Sequence, residues 1–544
     1  WSTMMNQPTV QVYRLSTDNS FPYRILGAQQ DNSAFRIKSS TYGAFIGESD
    51  FDVTAGGESG YIVADPLNSD IVYGGSYGGL ITRYDHKTGE NRVINVWPDN
   101  PLGHGAEGMK YRFQWNFPIF FSPHDANKLY TTSNHVHLST NEGQSWEIIS
   151  PDLTRNESDK HGPGGKPFTN EAAGGENYNT LMSLVESPHE KGVLWAGSDD
   201  GLVHVTRDGG ENWENVTPAD MKDGIVNSIE VSPHDPATTY ITLMRYKSMD
   251  LRPYIYKTSN YGQSWTKLVN GFTDEHTFAR VVREDPVRQG LLYAGTETGL
   301  YVSIDDGQNW QQFQLNLPVV PINDLVIQDN DLVAATAGRS FWILDDLGAL
   351  QQSSKEEDKL RVFKPKDTYL IFGGSSEKPV PGLGDNPKSG VTFDYYLNKE
   401  ADSLELKLEV LENNKVIRTI TNKKLKEFKS WPGGPSKPQV LPSKKGYNRF
   451  TWNFRRASLP AVDKVFLFGS HDGSRVAPGE YTLRLTLENT KVETDVKILP
   501  NPKINASTEH YLEQQLFLTE IEGMVTEIHE SVNQMRSAKK QLKA

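Results

Sequence analysis

The 544 residues carry a formal net charge of −13, with 36% hydrophobic residues, 23% charged residues and no cysteine. A chain of this length is expected to form two or three domains, each able to bury a core. The acidic balance argues against a nucleic-acid partner, which would favour a basic face. The lack of cysteine excludes disulfides and thiolate zinc sites. No run of about 18 apolar residues offers a transmembrane segment, and we expect neither a metal nor a cofactor.

The first 350 residues repeat a short pattern. A hydroxyl residue is followed by Asp or Asn two positions later, Gly four later and Trp seven later. Asp or Asn caps its own backbone in a tight turn, Gly takes a positive φ, and Trp returns to bury against its neighbours. The four copies are Ser139–Trp146, Thr206–Trp213, Thr258–Trp265 and Ser303–Trp310, and their structural residues are Asn141, Trp146, Asp208, Trp213, Asn260, Trp265, Asp305 and Trp310.

Seven units with one order of strands and turns surround these copies. Four strands per unit at a spacing of about 40–50 residues indicate a β-propeller, and seven units predict seven blades over residues 1–350. The first, second and seventh units lack a complete repeated turn, so their count depends on the strands. The predicted second strands are Tyr23–Ala28, Ile71–Gly75, Leu129–Thr132, Val193–Gly197, Thr239–Leu243, Leu291–Gly295 and Leu332–Thr336.

The order of strands also assigns loops to faces. In an up-and-down blade the first-to-second and third-to-fourth turns share one face, and the remaining connections share the other. The repeated turns belong to the first face. We interpret the long segments Ser39–Gly60, Asp99–Gln114 and Pro151–Asn179 as fourth-to-first connections on the opposite face. Scaffolds with long loops on one face usually bind ligands there.

The second-to-third connections should contribute polar and aromatic side chains to that opposite face. Such a mixture suits a sugar or a peptide, although the same loops could merely cap a solvated funnel. The predicted ligand-binding residues are Gln30, Tyr77, His135, Arg245, Tyr246 and Arg339, and the candidate catalytic carboxylates are Asp31, Asp199, Asp200 and Glu297.

Three histidines lie in Ser-Pro-His turns, one in each of three units. Because they are far apart in the repeat, we interpret His124, His189 and His234 as structural residues that pack against the adjacent repeated turn rather than as metal ligands.

A different organisation follows Leu350. Residues 351–361 are predicted to be a polar linker, and 362–500 an immunoglobulin-like β-sandwich. Residues 501–544 change to helical period, with Ser507 able to cap the start. The apolar stripe of this helix should pack on a partner helix or on a part of the protein that is missing from this sequence. The predicted sandwich strands are Val391–Leu397, Leu404–Val410, Lys415–Ile420, Tyr447–Phe454 and Tyr481–Leu487, and the stripe is Leu518, Ile521, Val525, Ile528, Val532 and Met535.

The repeated turn resembles the Asp-box (BNR) turn of sialidase-like, xyloglucanase-like and sortilin-like β-propellers, and the resemblance covers residues 1–350. The whole chain resembles the second half of large bacterial glycosyl-hydrolase-type repeat proteins. Trp1 would then end a turn that begins in an upstream propeller of the same polypeptide. The resemblance implies a bacterial extracytoplasmic protein, which is secreted, periplasmic or associated with the outer membrane of the cell envelope.

Two functions follow from this resemblance. The first is a binding or scaffold module that recognises a glycan or peptide polymer, or another envelope protein, on the long-loop face. The second is a glycoside hydrolase of the tandem-propeller type. Inverting hydrolases hold two carboxyl groups roughly 6.5–9.5 Å apart, and in this family one comes from each propeller. The candidates here match no complete catalytic motif, and sialidase chemistry would need an Arg triad and a Tyr nucleophile.

Overall fold

The computed structural model describes residues 9–99, 105–162, 177–272, 274–354, 360–371, 373, 380, 382–424 and 428–543. Trp1, residues 163–176 of the third long segment and residues 355–359 of the predicted linker lie outside these ranges. The chain divides into two compact units. Among the described residues, 9–41, 45–345 and 382–385 belong to the first unit, and 42–44, 346–371 and 386–543 to the second.

Within the described residues, the strands of the first unit form six four-stranded antiparallel sheets and one three-stranded sheet. Each is a meander in which strands adjacent in the chain pair. The first three sheets contain β1 (Val12–Thr17), β2 (Arg24–Gln29), β3 (Ser33–Lys38) and β4 (Phe51–Val53); β5 (Ile62–Asp65), β6 (Asn68–Ser76), β7 (Leu80–Asp85) and β8 (Asn91–Val93); and β9 (Ile119–Ser122), β10 (Asp125–Thr132), β11 (Val136–Ser139) and β12 (Glu147–Ile148).

The next four sheets continue the same order. They contain β13 (Leu181–Glu186), β14 (Leu194–Ser198), β15 (Val203–Thr206) and β16 (Glu214–Asn215); β17 (Ile225–Val231), β18 (Thr239–Met244), β19 (Ile255–Thr258) and β20 (Thr266–Lys267); β21 (Ala279–Glu284), β22 (Leu292–Thr296), β23 (Gly299–Ser303) and β24 (Gln311–Gln312); and β25 (Ile322–Gln328), β26 (Asp331–Thr336) and β27 (Phe341–Leu344). The predicted second strands overlap β2, β6, β10, β14, β18, β22 and β26. Strands such as β14 and β22 are buried along their whole length, which explains their continuous apolar runs.

The seventh sheet packs against the first. Val12, Tyr23 and Phe35 share an apolar cluster with Val333 and Ala335. The Asn323 amide donates to the Val12 carbonyl at 2.7 Å, and the Leu15 N–H donates to Asp324 Oδ2 at 3.2 Å. These contacts join the two ends of the series of sheets.

Each repeated turn satisfies its own backbone with two side chains. In the second copy, Thr206 Oγ1 accepts from the Gly210 N–H at 3.0 Å and Asp208 Oδ1 accepts from the Asn212 N–H at 2.9 Å. The hydrogen bonds from the side chain and backbone of Asn212 lower the pKa of Asp208 to about 2. The other copies repeat both bonds: Gly143 to Ser139 and Ser145 to Asn141, Gly262 to Thr258 and Ser264 to Asn260, and Gly307 to Ser303 and Asn309 to Asp305.

The glycine of the turn is required by geometry. Gly262 has a φ of +85°, and a Cβ there would lie 2.6 Å from the Cβ of Val216. Any larger residue would therefore meet both backbone strain and a clash with the preceding sheet.

Tryptophan and histidine side chains tie each sheet to its neighbours through backbone acceptors. Every indole N–H of the repeated turns donates to the carbonyl that directly follows the fourth strand of the preceding sheet. The pairs are Trp146 to Ile94 (2.9 Å), Trp213 to Ile149 (2.9 Å), Trp265 to Val216 (2.8 Å) and Trp310 to Leu268 (3.2 Å).

The three Ser-Pro-His histidines form hydrogen bonds with the next sheet along the chain rather than with the repeated turns. His124, His189 and His234 donate through Nε2 to carbonyls in the first-to-second turn of the next sheet, at Ser187 (2.8 Å), Ser232 (3.0 Å) and Asp285 (2.7 Å). The structural role expected for them is present, with a different partner.

One loop assignment is wrong. Strand β4 (Phe51–Val53) pairs with β3, and all three of its residues are exposed. The segment from Ser39 to Asp50 is therefore a third-to-fourth connection, and the fourth-to-first connection of this sheet begins only at Thr54. Three exposed residues give no apolar pattern, so the strand could not be distinguished from loop.

The second unit contains two sheets around one core. Its described strands are β28 (Leu360–Val362), β29 (Thr368–Tyr369), β30 (Val391–Leu397), β31 (Leu406–Glu412), β32 (Lys415–Thr421), β33 (Gly446–Trp452), β34 (Gly479–Leu487) and β35 (Thr490–Leu499). A three-stranded sheet has the order β28-β30-β33, and a five-stranded sheet has the order β29-β35-β34-β31-β32. Tyr481, Leu483, Leu485 and Leu487 alternate along β34 and point into a core that includes Trp452.

Two α-helices lie in the described part of the second unit. The short α1 (Gly348–Gln352) and the strand β28 extend into the two ends of the predicted linker. The long α2 (Thr508–Lys543) follows the sandwich strands, and the Ser507 hydroxyl accepts from the His510 N–H at 3.4 Å. Among the described residues, no helix is both long and apolar enough to cross a membrane.

We predict that Thr206→Val destabilises the first unit by about 1 kcal/mol, because the partly buried N–H of Gly210 loses its acceptor. Thr206→Ser keeps the hydroxyl and serves as the matched control. Chemical unfolding of the three proteins measures the effect, and equal stability of the Val and Ser variants would contradict the role given to this hydroxyl.

Candidate functional site

All ten predicted site residues lie in second-to-third-strand connections, and we call the surface formed by these connections the 2–3 face. The connections are Gln30–Asp31 between β2 and β3, Tyr77 between β6 and β7, His135 between β10 and β11, Asp199–Asp200 between β14 and β15, Arg245–Tyr246 between β18 and β19, Glu297 between β22 and β23, and Arg339 between β26 and β27.

The segment Tyr111–Phe117, which joins β8 to β9, links the ends of the third and fourth sheets. We call it the belt segment. The Arg112 guanidinium donates to Asp152 Oδ2 at 2.7 Å and to the Asn179 carbonyl at 3.0 Å, and its backbone N–H donates to Asn134 Oδ1 at 3.1 Å. This arginine therefore fixes the belt segment beside the predicted residue His135.

Gln114 connects the belt segment to Asp199. Its amide Nε2 donates to Asp199 Oδ2 at 2.8 Å and to Thr180 Oγ1 at 3.0 Å. The same carboxylate accepts from the Thr180 N–H at 2.9 Å and from the Thr180 hydroxyl at 2.8 Å. Asp199 thus forms the centre of a network that joins three segments of chain.

The environment of Asp199 favours its protonated form. The residue is only 5% exposed, and burial, followed by the neighbouring Asp200 charge, raises the pKa of Asp199 to about 7. Asp200 is fully buried and accepts from the Arg155 N–H at 2.8 Å and from Asn179 Nδ2 at 2.5 Å. Asp199 is therefore protonated in a large fraction of molecules near neutral pH.

An aromatic platform lies next to this network. The rings of Tyr77 and Trp115 stack with centroids 4.9 Å apart and planes 7° apart. The backbone N–H of Trp115 donates to Gln114 Oε1 at 2.8 Å, so the amide that binds Asp199 also contacts the backbone that carries the Trp115 ring. Phe113 packs so closely on Gly79 that a Cβ there would lie 2.6 Å from its ring. Both rings of the platform remain partly exposed.

A second aromatic group lies on the 2–3 face at the fifth and sixth sheets. Tyr246 stacks on Phe278 with centroids 5.6 Å apart, and the Arg280 guanidinium lies 5.0 Å from the centre of the Phe278 ring. Glu297 accepts from Arg280 Nε at 2.8 Å and from its NH2 group at 2.5 Å. Beneath them Phe278 packs in an apolar cluster with Met182, Ile225 and Met244.

Other predicted ligand residues are engaged within the protein. Arg245, predicted to face a ligand, is 9% exposed and forms ion pairs with Asp250 (2.6 Å) and Asp223 (3.2 Å). The reason is local, because the connection folds back on itself through an Arg245–Asp250 bridge. Gln30 donates to Asp31 Oδ1 at 2.8 Å and to Glu58 at 3.3 Å. Arg339 is exposed, and its guanidinium donates to the Gly338 carbonyl.

Charged side chains fill part of the space between the first strands of the sheets. Arg14 on β1 donates to Asn227 on β17 at 2.8 Å. Arg283 on β21 pairs with Asp324 at 2.9 Å and with Glu230 at 3.4 Å. Burial raises the pKa of Glu230 to about 7, although Arg283 opposes this shift. The Arg14–Asn227 bond therefore crosses from the first sheet to the fifth.

Sequence reasoning missed the belt residues Arg112, Gln114 and Trp115, and also Phe278 and Arg280. The available signal was the dense aromatic run from Tyr111 to Phe117 in a segment expected to be loop. Within the part of the chain that the structure describes, no group of three or more His, Asp or Glu side chains is placed to hold a metal ion.

No protein-family model matches the chain, and no curated protein matches it. Solved structures give distant similarities. The GH74 xyloglucanase from Xanthomonas campestris is 14% identical, with 89% of this chain and 79% of that chain covered and a TM-score of 0.44. YCF48 from Cyanidioschyzon merolae is 10% identical, with 61% and 94% covered and a TM-score of 0.41.

A third similar structure is the extracellular domain of a putative hybrid two-component system from B. thetaiotaomicron. It is 11% identical, with 90% of this chain and 57% of that chain covered and a TM-score of 0.41. With identities this low, the function of the chain has to be inferred from its own side chains.

We predict that Asp199→Asn changes the pH dependence of stability. The raised pKa means that the folded state binds this proton more tightly than the unfolded state does, so ionisation of Asp199 costs stability as the pH rises from about 4 to about 7. The Asn variant should lack this contribution, and its melting temperature relative to the wild type should increase across that interval. Calorimetry at pH 4.5 and 7.5 checks the result, and a constant difference between the two proteins would contradict it.

Proposed function

We propose that residues 1–350 form a seven-bladed Asp-box propeller, followed by an immunoglobulin-like sandwich over 362–500 and a helical segment over 501–544. The supporting observations are the seven consecutive meander sheets, the contact between the last and the first, and the four repeated turns with equivalent hydrogen bonds. The two sheets around one core support the sandwich.

We further propose that the chain is an extracytoplasmic recognition module that binds a glycan or peptide polymer, or a segment of a partner protein, on the 2–3 face. The observation that carries this proposal is the Tyr77–Trp115 platform, in which the two rings stack on each other and both residues remain partly exposed. A fixed aromatic surface binds the apolar face of a sugar ring or a peptide side chain at little entropic cost.

The arrangement of the carboxylates favours binding over hydrolysis. Glu297 is paired with Arg280, Asp31 accepts from Gln30, and Asp200 is buried under Asn179 and Arg155. An inverting hydrolase needs two carboxyl groups that both reach the scissile bond, with room for a water molecule. Carboxylates that bond to other groups of the protein are better suited to stabilising the conformation of the loops than to acting on a substrate.

Binding to a panel of soluble glycans and short peptides tests the proposal. We expect Trp115→Ala to weaken the affinity for the ligand that binds by at least tenfold, or about 1.4 kcal/mol, and Tyr77→Ala to act in the same direction. Leu67→Ala is the control, because Leu67 is an exposed apolar residue in a first-to-second turn on the opposite face.

Isothermal titration gives the affinities, and circular dichroism confirms that the variants are folded. Unchanged binding by folded Trp115→Ala, or an equal loss in Leu67→Ala, would exclude the 2–3 face as the binding surface.

One observation favours the hydrolase alternative. Asp199 has a pKa of about 7, which suits a general acid at neutral pH. If the chain turns over a glycan, we expect Asp199→Asn to lower kcat at least 100-fold, and Glu297→Gln to leave it within about threefold because Glu297 is paired with Arg280. Release of reducing sugar measures both. Turnover that survives in Asp199→Asn would remove Asp199 as the acid.

A further inference from the structure

The helix α2 has two distinct faces. One face bonds to the second unit through polar side chains seven residues apart. Gln515 Oε1 accepts from the Ala477 N–H at 2.5 Å, His529 Nδ1 donates to the Pro460 carbonyl at 2.7 Å, and Arg536 donates to the Asp463 carbonyl at 2.6 Å. Glu522, at the intervening position, accepts from a backbone N–H of the same unit. This face anchors the helix along its length.

The predicted apolar stripe is divided between the two faces. Leu518, Val525 and Val532 are partly buried, whereas Ile521, Ile528 and Met535 are exposed, with Ile528 61% exposed. No side chain of α2 is fully buried. Half of the stripe therefore has no cover within the described part of the chain.

The exposed apolar residues follow a heptad. Ile521, Ile528, Met535 and Leu542 are spaced by seven, and a second row, four residues before or three residues after them, completes the a and d positions of a coiled coil. The second row consists of Phe517, Met524, Ser531 and Ala538. The pattern lasts more than three heptads and forms a continuous seam, which we call the outer seam.

The distribution of charge along α2 indicates which partner would fit this seam. Apart from Glu522 and Arg536, which lie on the anchoring face, residues 508–530 contain five glutamates and no Lys or Arg, whereas residues 531–543 contain Lys539, Lys540 and Lys543 and no acid. A parallel pair of identical helices would place like charges together. An antiparallel pair places the acidic half of each helix beside the basic half of the other.

The side-chain sizes fit the same arrangement. An antiparallel pair centred between His529 and Glu530 places Ile521 opposite Ala538 of the second copy, and Ile528 opposite Ser531. In both of these layers a large side chain faces a small one, which allows close packing. The outer layers pair Met535 with Met524 and Leu542 with Phe517.

We propose that the outer seam of α2 binds the same seam of a second copy of this chain, as an antiparallel coiled coil. The interaction surface is separate from the 2–3 face and does not depend on the function proposed for it.

The oligomeric state of the full chain tests this proposal. Light scattering after size exclusion should give twice the 61.0 kDa of one chain at micromolar concentrations. Ile528→Glu should raise the dissociation constant at least about 100-fold, because each copy then places a charge in the seam. Ser537→Glu adds the same side chain at an exposed position outside both faces and should leave the dimer intact. A wild-type monomer, or a dimer unaffected by Ile528→Glu, would overturn the proposal.

The chain has no native cysteine, so cysteine pairs report the direction of the helices. Glu520 and Gln541 flank the seam and are exposed. When Glu520→Cys and Gln541→Cys chains are mixed and oxidised, an antiparallel pair gives a disulfide between the two variants, while each variant alone gives none, since its own cysteines are roughly 30 Å apart along the axis. Crosslinking of Phe517→Cys with itself would instead show a parallel pair and overturn the proposed arrangement.

Discussion

The structure of the first unit depends on side chains that bond to backbone atoms in neighbouring sheets. Each repeated turn satisfies its own N–H groups with a hydroxyl and a carboxyl or amide oxygen, and its tryptophan donates to the preceding sheet. His124, His189 and His234 donate to the following sheet. Because the acceptors are carbonyls, which every residue possesses, the sheets can hold together while the residues at the acceptor positions vary.

Because the bonds between sheets described above are made from the turn face, the loops of the 2–3 face can differ from one another. On the turn face the connections are short apart from Ser39–Asp50, and the hydroxyl and carboxyl or amide groups of the repeated turns bond within each turn. On the 2–3 face the belt segment crosses between sheets, and its Arg112 and Gln114 bond to residues far away in the chain. The aromatic platform of Tyr77 and Trp115 depends on this crossing, so the shape of the surface is determined by contacts between sheets.

Much of the fold could be predicted from local sequence, because the repeat marks strand ends with the turn chemistry of Ser, Asp, Gly and Trp. The second strands were found because burial on both faces leaves a continuous apolar run. Strand β4 was missed because its three residues are exposed.

The site could be predicted only as a set of loops. The bonds from Gln114 to Asp199 and from Arg14 to Asn227 join residues 85 and 213 positions apart, and no local pattern reveals such pairs. Periodicity likewise predicted one stripe on α2, whereas the hydrogen bonds of Gln515, His529 and Arg536 turn half of it outward.

The central claim is that ligands bind on the 2–3 face and that the turn face is structural. Hydrogen–deuterium exchange of the full chain, with and without a glycan or peptide that binds, locates the contact most directly. The account predicts slower exchange in the belt segment Tyr111–Phe117 and in the connections around Tyr77 and Tyr246, with no change in the turns Thr206–Trp213 and Thr258–Trp265. Protection confined to those turns, or to the second unit, would contradict it.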